Sequence, residues 1–464
     1  MSIVECHLEF GGFDDGLVKG GISVYLWDLC RALRDRGGQV SALTASHGLL
    51  ARLREQHVLT ELDWHDRHAV DVPLDPTTWQ LHGPGTRLEF DTTAYRFQVA
   101  GIDITLLEDP LLSCYPDTFY PPYQAKGRDL AFLKPLAFQL AATRYLQANA
   151  DPGTLVHLHE PLYHYLMPAG LATAGIRSVC TVQSNMPVNK KVYGPEVRAL
   201  LAYLGADPDL LGDLRDGDLD TPRLRAIRAA LPMTRLYNDY PERPGHDYLS
   251  LLGVVAASCD ALDFLSPGQL EHVVTQADTP AEELFGQLAV RRVLRRDPSR
   301  LVVGGCAIGD SWLRVEPDPD SDRRRRVLTG LGLDPALPTV FHNARYAVDH
   351  KGQHEAALGL RAVLAAGRRV NVLLHCLSSG PLDDPLLDQL AGDFPELVRL
   401  ETRPMTRDEL EGWAVASDLC LYPSKFEMDT FLLGMGEAMA CGAIPIATAQ
   451  AGMRHFGHRP DPET

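Results

Sequence analysis

Two successive series of short apolar runs, each alternating with stretches of helical periodicity, restrict this chain to one fold class. In the first series Ile3–Leu8, Gln39–Leu43, Ile102–Leu107, Thr154–Leu158 and Arg177–Val182 read as strands, rich in β-branched or leucine residues and bounded by Gly, Pro or polar residues. Between the first two lies Ile22–Arg36, apolar at helical spacing through Val24, Leu26, Trp27, Cys30 and Leu33, and closed by Gly37–Gly38 as a left-handed C-cap would close it. A second series follows, with Pro338–Phe341, Val370–Leu377, Leu397–Leu400, Asp418–Leu421 and Ile444–Ala447 as strands and helical patterns between them. Two consecutive βα series predict an α/β protein of two doubly wound, Rossmann-like domains facing a central cleft, with ligands at the carboxyl ends of the strands. The boundary is expected near residues 312–326, giving an N-terminal domain over 1–314 and a C-terminal domain over 327–464. Residues 49–100 and 185–250 break the alternation and read as insertions, able to form an acceptor site or a subunit interface in a homo-oligomer.

Charge and cysteine usage narrow the partners. A formal net charge of −17 over 464 residues argues against general nucleic-acid binding, which needs clustered cations. The one basic run, Arg323 to Arg326, directly follows the acidic stretch Glu316 to Asp322 and reads as a solvated linker. None of the nine cysteines forms a CxxC pair, and Cys180, Cys376 and Cys420 sit inside apolar strand-like runs as small buried thiols, which fits a reducing compartment. The N-terminus lacks a basic segment followed by an apolar one, and no apolar stretch approaches the roughly 18 residues of a membrane span. A cytoplasmic protein without membrane partners is expected.

Four motifs carry polar chemistry at strand ends. Leu17-Val-Lys19-Gly20-Gly21-Ile-Ser-Val24 opens the first helix, where Lys19 supplies a charge and the glycines let backbone N–H groups approach a phosphate. His157-Leu-His159-Glu160-Pro-Leu-Tyr-His164 places three imidazoles and a carboxylate after a strand. Their spacing fits no common metal template, so no metal is expected, and His164 is assigned to a sugar hydroxyl. Phe341-His-Asn-Ala-Arg345-Tyr-Ala-Val-Asp-His-Lys351-Gly352 ends a strand with two cations, a pair suited to a diphosphate leaving group. Tyr422-Pro-Ser-Lys-Phe-Glu427-Met-Asp429-Thr430 is followed by a helix rich in small residues around Glu437, then Gly442, a strand and the loop around Gly452. Its carboxylates can bind ring or ribose hydroxyls, and its helix N-terminus favours an anion.

In this order the motifs resemble those of the bacterial glycogen and starch synthase family of retaining GT-B glycosyltransferases. Pro423-Ser-Lys-Phe-Glu427 looks like the family's Pro-Ser-Arg-Phe-Glu, and Gly442-Ala-Ile-Pro-Ile with Ala451-Gly452-Met453 is similar to its Gly-Thr-x-Pro and Gly-Gly-Leu stretch. Arg345 and Lys351 match its cationic pair, His157 to His164 its His-x-His-Asp-Trp-His segment, and Lys19-Gly20-Gly21 its Lys-x-Gly-Gly loop. There are departures. Lys19 abuts the glycines, Arg345 and Lys351 are one residue further apart than in the family, and the stretch from Phe426 to Gly442 is two residues longer, so Asp429 competes with Glu427 for the position at the reacting sugar. The family continues with further βα structure where this chain has Thr448 to Thr464, so the C-terminal domain is expected to end early.

The resemblance implies catalytic roles for His164, Arg345, Lys351 and Glu427 or Asp429, with Lys19, Gly20, Gly21, Glu437 and Gly452 around the nucleotide. It implies a retaining transfer of a hexose or hexose-like ring from a nucleoside-diphosphate donor to a small sugar acceptor, with no separate cofactor. The departures resemble the glycogen-synthase-like enzymes of aminocyclitol pathways, including acarbose-type clusters, which points to secondary metabolism. Two alternatives stand beside this reading: a pseudo-glycosyltransferase coupling a nucleotide-activated cyclitol to an amino sugar through a C–N bond, and a non-catalytic nucleotide-sugar-binding subunit. A dehydrogenase is disfavoured because the GxGxxG spacing is absent.

Overall fold

The computed structural model describes residues 2–18, 20–75, 85–116, 119, 128–184, 190–215, 221–230, 247–274, 287, 289–316, 322–378, 381–425 and 431–448. The chain divides into two compact units, 1–305 and 306–464.

In the first unit β1 (Ser2–Cys6), β2 (Gln39–Ala45), β3 (Thr60–Pro73), β4 (Gly85–Val99), β5 (Ile102–Glu108), β6 (Leu155–His159), β7 (Arg177–Val182), β10 (Ala261–Phe264) and β11 (Leu301–Val303) form one sheet, ordered β11-β10-β7-β6-β1-β2-β5-β4-β3. The short strands β8 (Lys191–Tyr193) and β9 (Tyr248–Ser250) pair separately, antiparallel. From β1 the chain runs outward through β2 to β5, then returns to the other side of β1 and runs outward through β6, β7, β10 and β11, all in parallel. This reversal is the topological switch point of a doubly wound sheet, and it lies between β1 and β6. Much of the predicted 49–100 insertion is the β3–β4 hairpin, which adds to the β5 edge in antiparallel register. Of the predicted 185–250 insertion, residues 185–189, 216–220 and 231–246 lie outside the described residues.

Both faces of this sheet are covered, as parallel sheets require. Cys6, Leu43, Leu158 and Cys180 pack into one core, whereas Ala42, Leu26, Cys30 and Ile104 pack into the other. The helix Gly21–Asp35 covers the second face and ends as its sequence predicts: Gly37 takes φ +82°, Gly37 N–H donates to Arg34 at 2.8 Å and Gly38 N–H to Leu33 at 2.9 Å, closing a Schellman motif.

The second unit holds β12 (Thr339–Arg345), β13 (Asn371–Leu377), β14 (Val398–Glu401), β15 (Leu419–Tyr422) and β16 (Ile444–Ala447), in the order β14-β13-β12-β15-β16 and all parallel. Its switch point lies between β12 and β15. On β13, Val372, Leu374 and Cys376 enter one core and Leu373 the other, the alternation of a strand buried on both faces. All nine cysteines are unpaired, and Cys180, Cys376 and Cys420 are buried as expected. Among the described residues, no helix is long and apolar enough to cross a membrane.

The stretch that reads as a solvated linker is a structural part of the second unit. Trp312 is buried, and the Arg407 guanidinium stacks 3.8 Å from its ring centroid while donating to Ser311 Oγ at 2.6 Å. Arg323 to Arg326 lie on the helix Asp322–Gly330. Arg324 is buried, donating to Asp418 Oδ2 at 2.8 Å and to the Ala416 carbonyl at 2.7 Å, and Asp418 also accepts from Thr339 N–H at 2.8 Å. Four consecutive arginines carry the signature of a solvated run, but helical periodicity turns one of the four inward. Replacing Arg324 with Leu is expected to lower unfolding free energy by about 2 kcal/mol, because Asp418 loses its charge partner. Denaturant unfolding checks this, and an unchanged midpoint would contradict the role.

Candidate functional site

At the switch point of the first sheet a polar strip replaces the expected apolar rows. Glu5 of β1 is register partner of His157 on β6, and Asp263 of β10 that of Thr181 on β7. His157 Nδ1 lies 3.0 Å from Glu5 Oε2, and His159 Nε2 lies 2.7 Å from the same oxygen. His157 Nε2 is 2.7 Å from Thr181 Oγ1, which itself donates to Asp263 Oδ2 at 2.7 Å, and Asp263 Oδ1 accepts from Gly304 N–H at 2.6 Å.

A threonine hydroxyl has one hydrogen, and here it goes to Asp263, so Thr181 accepts from His157 Nε2. Nδ1 of the same ring faces a carboxylate, so both nitrogens donate and His157 is an imidazolium. Burial opposes that charge, but Glu5 outweighs it and raises the His157 pKa. Burial likewise pushes the Glu5 carboxyl up, and the charge and hydrogen bonds of His157, with the hydrogen bond of His159, bring it down to about 2. His159 accepts from Gln183 Nε2 at 3.1 Å and donates to Glu5, so it is neutral, and burial beside charged His157 holds it at about 4. Glu5, His157 and His159 offer ligand atoms within 4.8 Å of one another, close enough to share an ion, but in the arrangement seen protons occupy the two nitrogens that face Glu5.

Beyond the strand ends lie Glu160 and His164. Glu160 takes φ +59°, a left-handed conformation that costs a non-glycine residue energy and that clusters at functional sites. Its buried carboxyl accepts from Ser184 Oγ at 2.8 Å, and burial raises it to about 7. Its carbonyl accepts from His164 Nδ1 at 3.1 Å. His164 is fully buried and held at about 3 by that burial. On the other side of the switch point, Gly20 is the extended N-cap of the helix that begins at Gly21, with no side-chain cap. A Cβ at Gly20 would sit 2.9 Å from Glu9 Oε1, so the glycine makes room for that carboxylate, which also accepts from Ser23 Oγ at 3.2 Å. Lys19 lies outside the described residues.

The second unit brings two of its motifs together at its own switch point. Arg345 ends β12, exposed, and donates from Nη2 to His350 Nδ1 at 3.3 Å. Lys351 closes the short helix Val348–Lys351, near enough to His342 to help hold that buried imidazole, chiefly through burial, at about 4. Gly352 has φ +69°, and a Cβ there would lie 1.9 Å from the Pro423 carbonyl oxygen, so only glycine lets the loop after β12 press on the loop after β15. Three further bonds tie these loops: Lys425 N–H and Ser424 Oγ donate to the His350 carbonyl at 2.9 and 3.0 Å, and Lys425 Nζ meets Glu355 at 2.6 Å. The helix Leu433–Ala440 packs by its small residues as expected, since a Cβ on Gly434 would lie 2.9 Å from the Asn343 carbonyl oxygen. Glu437 sits half-buried on that helix, within electrostatic reach of Tyr422 and Cys441. Glu427, Asp429 and Gly452 lie outside the described residues.

Sequence reasoning passed over Glu5, His7 and Asp263 as members of the site. The signal was a charged residue inside an otherwise apolar strand, Ile3-Val4-Glu5-Cys6 and Leu262-Asp263-Phe264.

No protein-family model matches the chain, and no curated protein matches it. Solved structures do. The catalytic domain of starch synthase IV from Arabidopsis thaliana, bound to ADP and acarbose, is similar with a TM-score of 0.66 at 18% identity, covering 98% of this chain and 84% of that one. Trehalose-6-phosphate synthase from E. coli, bound with UDP-2-fluoro glucose, is similar with a TM-score of 0.51 at 12% identity, covering 98% and 86%. At these identities the likeness establishes the fold, which is the GT-B fold of mixed α/β units with parallel sheets.

The buried neutral histidines set an acid sensitivity. In His159 and His164 the folded-state pKa lies below the usual 6.5, so the unfolded chain binds more protons as pH falls. Their contribution to stability is complete above pH 6.5 and is lost as pH drops toward the folded values. Replacing His164 with Phe is expected to flatten this loss by up to about 1.4 kcal/mol per pH unit. Denaturant unfolding at a series of pH values checks it, and an unchanged slope would contradict a neutral buried His164.

Proposed function

We propose that this protein is a retaining glycosyltransferase that moves a hexose or hexose-like ring from a nucleoside-diphosphate donor to a small sugar acceptor in secondary-metabolite biosynthesis. The supporting observation is the polar equipment at the two switch points: neutral His164 at the first, and the exposed Arg345 with Lys351 at the second, on the loop that Gly352 locks against the loop after β15. The two similar structures, one bound to ADP and the other to UDP-2-fluoro glucose, support the donor class.

In this reading Arg345 and Lys351 hold the donor diphosphate, with Lys19, Gly20 and Gly21 beside it and Glu437 and Gly452 around the nucleotide. His164 and Glu427 or Asp429 orient the ring. The bond from the ring to the diphosphate oxygen breaks as the bond to the acceptor oxygen forms on the same face, and the acceptor proton passes to the departing diphosphate. Charge stabilisation and positioning carry the acceleration, without a metal or separate cofactor. The reaction belongs in the cytoplasm.

One observation favours a second reading. Glu160, buried, at φ +59° and bonded through its carbonyl to His164, has a carboxyl that burial pushes up; such a base can take the proton that an ammonium acceptor must lose, so transfer to an amino sugar, forming a C–N bond, is the alternative.

Calorimetry of the protein with ADP, UDP, GDP and dTDP is expected to find one tight binder, and binding of none would overturn the donor site. With the matching donor, Arg345→Ala is expected to lower turnover about 10²-fold, the size of effect from removing one preorganised donor. A loss under about threefold would remove Arg345 from that role.

A further inference from the structure

The first switch point buries three imidazole nitrogens that make no hydrogen bond of normal geometry, both ring nitrogens of His7 and Nε2 of His164, with the His159 carbonyl beside both rings. His7 follows β1 directly, its backbone fixed by a bond from its N–H to the Leu43 carbonyl at 3.2 Å. Its ring is fully buried, with its centroid 5.0 Å from that of His164, 6.3 Å from Tyr163 and 6.5 Å from His159. Leaving a buried polar atom unpaired costs about 1–3 kcal/mol. A leucine would fill such a position in the core without that cost, so packing does not account for a histidine here.

The chemistry of the two rings is complementary. His164 Nδ1 faces the Glu160 carbonyl, so it carries the hydrogen, and Nε2 presents a lone pair. Nε2 can therefore accept a hydrogen but cannot give one. Burial pushes the His7 pKa well below its usual value, so His7 is neutral and offers one N–H donor and one further lone pair. A hydroxyl is the group that meets both, donating its hydrogen to His164 Nε2 while accepting from His7 N–H. A phosphate has no hydrogen for His164, and an apolar ring edge satisfies neither nitrogen. Ring centroids 5.0 Å apart, with the planes tilted by 47°, put the two imidazoles close enough to contact a common group.

We propose that His7 is a second ring-contacting residue, which with His164 clamps one hydroxyl of the ring being transferred. The assignment rests on the glycosyl-transfer reading above. It makes His7 a specificity-determining residue, since a ring lacking that hydroxyl would leave both imidazoles unpaired.

Histidine ring ¹⁵N shifts of the labelled full chain, titrated with D-glucose, test it alongside calorimetry with ADP, UDP, GDP and dTDP. The sugar is expected to shift both His7 and His164. Its dissociation constant should rise about tenfold or more in His7→Phe, the size of one lost buried hydrogen bond, while nucleoside-diphosphate binding stays within about twofold. His7→Gln, which keeps a donor and an acceptor, should recover part of the sugar affinity, and it serves as the comparison if His7→Phe does not fold. A sugar that shifts His164 alone, or one bound equally well by wild type and variant, overturns the assignment. Diphosphate binding with neither ring shifted overturns His7 and leaves the donor reading standing. Shifts of both rings without any diphosphate binding support His7 and overturn the donor reading.

Discussion

Burying both faces of a parallel sheet leaves its strand ends as the place where polar chemistry meets solvent, and both units of this protein are built around that constraint. Helices and loops cover the faces, so apolar residues alternate between two cores along β13 and β2, whereas β1, β6 and β7 give their apolar residues to one core and turn Glu5, His157, His159 and Thr181 the other way. The chain reverses its winding between β1 and β6 and between β12 and β15, the positions at which doubly wound folds bind their ligands. Most described residues assigned to the site lie on the strands that flank these reversals, or on the loops and helices that follow them, and Thr181 and Asp263 extend the first site onto β7 and β10.

The first unit departs from an all-apolar interior in a controlled way. The imidazolium of His157 is matched by the Glu5 carboxylate, and the remaining hydrogens run through Thr181 and Asp263 to the backbone of Gly304. Such a network is costly if any member is left unpaired, and here each proton has a destination. Its order ends at the strand tips. Past them the chain adopts the strained conformation of Glu160 and buries His7 and His164 with unpaired nitrogens, so the energetic compromises gather where a ligand would relieve them.

The second unit uses a different device. Its cations sit at the end of β12 and on the short helix that follows it, and the position of that helix depends on close backbone approach. Gly352 lies against Pro423 and Gly434 against Asn343, so loop and helix are fixed by the absence of side chains. This leaves the Arg345 guanidinium exposed, with the His350 imidazole as its neighbour, in contrast to the carboxylate-paired arginines elsewhere in the unit, such as Arg324 and Arg403.

The strands of both series, the glycine stop after the first helix and the small-residue helix near the end were legible in the sequence, because periodicity and backbone freedom are local properties. His164, Arg345 and Lys351 were legible for a related reason: each follows a recognisable strand, and strand ends are where doubly wound folds place their chemistry. The helical, partly buried setting of Arg323 to Arg326 was not, nor was the partnership of Glu5 with His157 and His159, some 150 residues away along the chain. Local pattern by itself determined which segments are strands and which loops carry polar groups. Only the tertiary structure decided which histidine is charged, which is neutral and which nitrogens are unpaired, because those depend on burial and on partners that distant strands supply.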